Sequence, residues 1–123
     1  MGRAFKTRHF VRWMRKSGLS EQALMLALKE MRMGLVDADL GGYLYKKRVA
    51  LPGRGKRGGA RTVIASNLRD RWFFILGFAK NERESLGDDE LYALRTYAAE
   101  LLARSSAELE RLKETGALEA MES

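Results

Sequence analysis

Cysteine is absent from this sequence, and proline and histidine occur once each. Without thiols there is no disulfide framework, no thiolate metal site and no cysteine nucleophile. One histidine is too few for an ordinary transition-metal site, and His9 stands beside Arg8 in a helical pattern rather than in a catalytic constellation. No Ser-His-Asp set, P-loop or dinucleotide fingerprint occurs either: Gly53-x-Gly55 and Gly58-Gly59 neither follow the required strand spacing nor open a helix. The longest apolar run, Trp72 to Ala79, is eight residues, far short of the roughly 20 that cross a bilayer. Met1-Gly2-Arg3 leads into mixed polar sequence without a signal-peptide core. The expectation is a soluble, cytoplasmic protein with no membrane partner, no metal and no cofactor.

What is present is charge, unevenly placed. The 123 residues are 46% apolar, enough for one core and one domain spanning residues 1–123, and 32% charged, with a net charge of +7. Residues 1–80 hold 18 Lys and Arg against 5 Asp and Glu, or +13, whereas residues 81–123 hold 5 against 11, or −6. A basic body of this kind is the electrostatic footprint of a protein that meets phosphate or another polyanion.

Ala4 to Thr7 reads as a short opening strand. From Arg8 the residues Phe10, Trp13 and Met14 recur at helical spacing with Arg8, Arg12, Arg15 and Lys16 opposite, and Gly18 stops the helix. Ser20 is placed to cap a second helix, Glu21 to Met33, with Leu19 and Leu24 as a hydrophobic staple and Leu24, Ala27, Leu28 and Met31 as its buried stripe. Gly34 ends it. After a loop at residues 37–42, three strands follow, Tyr43 to Leu51, Arg61 to Asn67 and Arg71 to Ala79. Their short connections imply an antiparallel meander, the third strand covered on both faces. Pro52 to Ala60, with four glycines and three cations, reads as an exposed, mobile loop. One long helix closes the chain, capped by Ser85 or Asp88, with Leu91, Leu94, Ala98, Leu101, Ser105, Leu109 and Leu112 along one face. Residues 104–123 are expected to extend or fray from its end. The fold class is α+β: a small antiparallel sheet with two N-terminal helices and a long C-terminal helix.

The strongest local signal lies between Lys46 and Arg61, where seven of sixteen residues are Lys or Arg and none is acidic. On a strand Lys46 and Arg48 share one face and Lys47 points to the other, while Arg61 opens the neighbouring strand. Like charges this close on a sheet repel by a few tenths to about 1 kcal/mol per pair, and phosphate is the natural compensation. The acidic pairs Asp37/Asp39 and Asp88/Asp89 read as a turn and a helix N-terminus. Any catalysis therefore runs on Lys, Arg and Tyr. RNA permits this, because its 2′-hydroxyl is an internal nucleophile, so that orientation and charge stabilisation supply much of the rate.

The order of these elements, with Lys46-Lys-Arg48, Pro52-Gly-Arg-Gly-Lys-Arg-Gly-Gly-Ala-Arg61 and Phe78-Ala-Lys-Asn-Glu-Arg83 in succession, resembles the RelE-type toxins of bacterial toxin-antitoxin systems over roughly residues 4–103. The resemblance implies a RelE/ParE-like fold and a ribosome-dependent mRNA endoribonuclease that inhibits translation, leaving a 2′,3′-cyclic phosphate without a metal. It also implies an antitoxin partner of the helix-turn-helix kind encoded nearby, besides mRNA and the ribosome. Carried over by motif, Arg61 would stabilise the phosphorane, Lys46 and Arg48 would hold or deprotonate the reacting nucleotide, and Lys80 and Arg83 fall in the segment that supplies the leaving-group acid. Lys47, Arg54, Lys56, Arg57 and Asn81 complete the implied RNA-contacting set. Asn81 stands where better-known relatives carry an arginine, and their base-stacking C-terminal tyrosine has no counterpart, Tyr92 and Tyr97 lying too far along the helix. The same fold houses ParE-type gyrase inhibitors, so the alternatives are a non-nuclease toxin of that type or a catalytically degenerate nucleic-acid-binding member.

Overall fold

The computed structural model describes residues 2–53, 55–80, 82–83 and 85–121, the side chains of residues 55–57 excepted. Along them run β1 (Arg3–Thr7), α1 (Arg8–Ser17), α2 (Glu21–Arg32), β2 (Ala38–Gly41), β3 (Leu44–Leu51), β4 (Gly55–Ser66), β5 (Arg71–Ala79), α3 (Asp88–Leu102), α4 (Ser106–Glu114) and β6 (Leu118–Ala120). The strands form one six-stranded sheet in the order β2-β3-β4-β5-β1-β6. β1 lies parallel to β5, and the other pairings are antiparallel.

Helix starts and stops follow the local chemistry. Thr7 Oγ1 accepts from the Phe10 amide at 3.2 Å to open α1, and Ser20 Oγ accepts from the Ala23 amide at 3.1 Å to open α2. α2 ends where Gly34, at φ 87°, donates to the Met31 carbonyl and Leu35 donates to the Glu30 carbonyl. That is the double bond of a Schellman motif, which needs a residue content with positive φ.

The sheet separates two apolar layers. On one face α1 and α2 lay Phe10, Leu24, Leu28 and Met31 over Val49, Ile64, Trp72 and Phe74. On the other, α3 and α4 lay Ala98, Leu101 and Leu109 over Leu44, Val63, Phe73, Ile75 and Phe78. Each large side chain so buried contributes about 1.5–3 kcal/mol. β5 supplies both layers, as its continuous apolar run implied.

The structure departs from the sequence reading in several places, beginning with the sheet, which the parallel β1–β5 pair makes mixed rather than antiparallel. The long closing helix is two: α3 ends at Leu102, and Ser105 opens α4 with a capping box, its side chain accepting from the Glu108 amide and Glu108 accepting from the Ser105 amide. The Leu stripe runs on through the break because both helices bury the same face of the chain. α3 itself is capped by Gly87 with no side-chain bond, rather than by Ser85 or Asp88. Beyond α4, Gly116 at φ 84° turns the chain into β6, which pairs with β1, so residues 104–121 neither extend nor fray. Lastly, β4 begins at Gly55 and pairs with Leu51 across the turn, so most of the presumed loop is strand backbone, and residues 38–41 form the edge strand β2.

Candidate active site

The face of the sheet beneath α3 changes character in steps along the strands. Cross-strand neighbours form rows: Leu44, Ala65 and Phe73; then Lys46, Val63 and Leu76; then Arg48, Arg61 and Phe78. The first row is apolar and buried with Ala98 and Leu101 of α3. The third carries two guanidiniums side by side. Strand alternation therefore places Lys46, Arg48 and Arg61 together, as their spacing implied.

A bulge in β5 adds Phe78 to this face. Val63 pairs with Leu76 and Ile64 with Phe74, which leaves Ile75 as the extra residue. Ile75 and Leu76 both join the α3 layer, Gly77 turns toward α1, and Phe78 returns to the α3 layer beside Arg61. Without the bulge, alternation would send Phe78 to the far face. Gly77 accommodates Trp13 of α1: a Cβ there would lie 2.3 Å from Trp13 Cε3.

The cations differ in what holds them. Arg48 is tethered by Asp37, whose Oδ2 accepts from the Arg48 amide at 2.7 Å and whose Oδ1 lies 3.6 Å from the Arg48 Nε. Half of the Arg48 side chain stays exposed (49%). Arg83 lies over the Phe78 ring, its Cζ 5.4 Å from the centroid, and is bonded by both Glu90 oxygens. Hydrogen bonding to Glu90 pushes the Arg83 pKa above its ordinary value and pulls that of Glu90 below its own. Arg61 is held by neither: its Nη1 is buried with no hydrogen-bond partner among the described residues. A buried guanidinium N–H without an acceptor costs free energy that an incoming anion would recover.

Other candidates fall elsewhere. Lys47 sits on the opposite face, 5% exposed, with its Nζ 2.9 Å from Glu30 Oε1 of α2. Its place in the RNA-contacting set is corrected by this burial, the alternation that groups Lys46 with Arg48 having turned Lys47 into the α2 layer. Lys80 is exposed just past β5. Arg54 and Asn81 lie outside the described residues, as do the side chains of Lys56 and Arg57. His9 is exposed at the start of α1, lining a shallow groove with Leu76, Glu90, Leu94 and Tyr97. Burial raises the Tyr97 hydroxyl pKa there. Tyr92 is 74% exposed and has no part in the rows.

Sequence reasoning took Asp37 for a turn residue and did not single out Glu90, yet both hold site arginines. Among the described residues no cluster of three His, Cys, Asp or Glu side chains could hold a metal, and no helix is long and apolar enough to cross a membrane.

The chain is a layered α+β protein with two arginines paired across strands on one sheet face. The chain matches the family described as "RelE toxin of RelE / RelB toxin-antitoxin system" over residues 2–121 and belongs to it. It is thus a RelE-type toxin of a toxin-antitoxin system, with an antitoxin as partner. No curated protein matches it.

Proposed function

We propose that this toxin is a ribosome-dependent mRNA endoribonuclease whose reaction is carried by the Arg48–Arg61–Phe78 row. The observation that supports this most is Arg61, a partly buried guanidinium whose Nη1 has no acceptor among the described residues and whose strand neighbour is a second arginine. A phosphate placed there neutralises two like charges and satisfies the orphan donor together.

The reaction is an internal transfer. The 2′-oxygen of one nucleotide attacks the adjacent phosphorus as its proton departs, the phosphorus–5′-oxygen bond breaks, and the leaving oxygen takes up a proton. The products are a 2′,3′-cyclic phosphate and a free 5′-hydroxyl. Negative charge builds on the non-bridging oxygens of the phosphorane, where Arg61 and Arg48 supply fixed donors; one such donor is typically worth about 2.7–4 kcal/mol of barrier. Lys46, one row inward, is placed to orient or deprotonate the 2′-hydroxyl.

Between the two candidates for the leaving-group proton, the geometry favours Lys80. Arg83 is bound to a carboxylate that raises its pKa further, which makes it a poor proton donor and a good fixed charge. Lys80 is exposed two residues past Phe78.

Expression of the wild-type chain should arrest translation, with primer extension showing cuts in ribosome-bound mRNA. Arg61→Ala should abolish both. Undiminished toxicity of that variant would refute the assignment, and a DNA-damage response with intact mRNA would identify a gyrase-inhibiting toxin instead.

A further inference from the structure

Arg83 reaches the site from a stretch outside helix and strand, so its guanidinium needs an anchor. Glu90, in the first turn of α3, provides it. Arg83 Nη1 donates to Glu90 Oε2 at 2.9 Å and Nη2 donates to Oε1, while Nε and Nη2 each donate to the Ser85 carbonyl at 3.3 Å. Among the described residues four of the five guanidinium N–H groups are thereby committed, and the one left over is on Nη1. The group lies over Phe78, and Phe78 is the sheet neighbour of Arg61.

We propose that Glu90 is a positioning residue for RNA cleavage: it holds Arg83 against the Phe78 ring so that the uncommitted Nη1–H serves the phosphate bound by Arg61. This rests on the nuclease reading above. A cation fixed before the reaction stabilises developing charge without reorganising, whereas a free arginine on a loop would have to be ordered during it. The bidentate fork specifies direction as well as distance, which a lysine or a single bond would not. The pairing has an opposite possible effect, in that a carboxylate on Arg83 could withhold it from RNA. The two effects predict opposite signs for the loss of Glu90.

Single-turnover cleavage on mRNA-programmed ribosomes, followed over a range of toxin concentrations, tells them apart. Glu90→Gln should lower the maximal rate at least about tenfold while the half-saturating concentration stays within about twofold and the protein stays folded at the assay temperature. In an Arg83→Met background it should lower the rate no further, because Glu90 acts through Arg83. A Glu90→Gln protein as fast as wild type or faster, beside an inactive Arg61→Ala, overturns the positioning role alone, as does a further loss in the Arg83→Met background. Full cleavage by Arg61→Ala, or none by wild type, overturns the nuclease reading and this inference with it.

Discussion

Lys46 and Lys47 are adjacent, chemically identical and assigned opposite fates by strand alternation. Lys47→Met should lower stability by about 1.5–3 kcal/mol, since it removes a buried charged contact to Glu30, yet leave cleavage at the wild-type level once the protein is folded. Lys46→Met should do the reverse, lowering cleavage with little change in unfolding midpoint. Denaturant unfolding and ribosome cleavage on the same two preparations check both. Gly77→Ala probes another single atom: a methyl carbon 2.3 Å from the Trp13 ring should overpack the α1 layer by about 2 kcal/mol or more, read as a lowered denaturant midpoint. The arginine side of the site was legible because a period of two is all that Lys46, Arg48 and Arg61 require. The acids were not. Asp37 and Glu90 meet their arginines across loops, where no periodicity connects a residue to its partner.

At the level of elements, α1 and α2 could be read from the chain because their caps and stripes are local, complete within a dozen residues. The closing segment hid its break, because Leu101 and Leu109 bury the same face on either side of it. The signal was present all the same: Ser105 and Glu108 precede Leu109 at capping-box spacing. Ser105→Ala should destabilise the protein by about 1 kcal/mol, measured as a lower thermal midpoint. The glycines of residues 52–60 misled in the other direction. Glycine lowers strand propensity, but hairpin pairing with β3, Gly55 opposite Leu51 and Ala60 opposite Val49, overrides it. The β5 bulge left no recognisable mark in an unbroken apolar run, and with it the place of Phe78 beside Arg61 was unreadable.

Across the whole molecule, the acidic C-terminal part folds back on the basic body along one margin. Glu110 meets Arg3, and Glu119 meets the buried Lys6, which Glu21 also contacts. Hydrogen bonds from Arg3 and Lys113 hold the Glu110 carboxyl below its usual pKa, bonds from Ser105 do the same for Glu108, and Arg83 for Glu90. Carboxyls depressed on folding contribute stability that is fully present above their unfolded values and lost as pH falls through the folded ones. The thermal midpoint should therefore stay level from neutral pH to about 5 and fall below about 4. The cationic row is spared this neutralisation by the tail. The log of RNA affinity should fall with log salt by a slope of about −0.7 for each phosphate the row neutralises, and Arg61→Ala should make the overall slope shallower.

β1 is bracketed by strands made much later: β5 on one side, and β6, more than a hundred residues on, along its other edge. During synthesis its first partner is made more than sixty residues after it, and its second more than a hundred. Nascent chains interrupted before Leu118 carry a bare β1 edge, with Phe5 short of its Leu118 cover and Lys6 missing one of its two acids. The sheet is thus complete only in chains whose synthesis has passed residue 120.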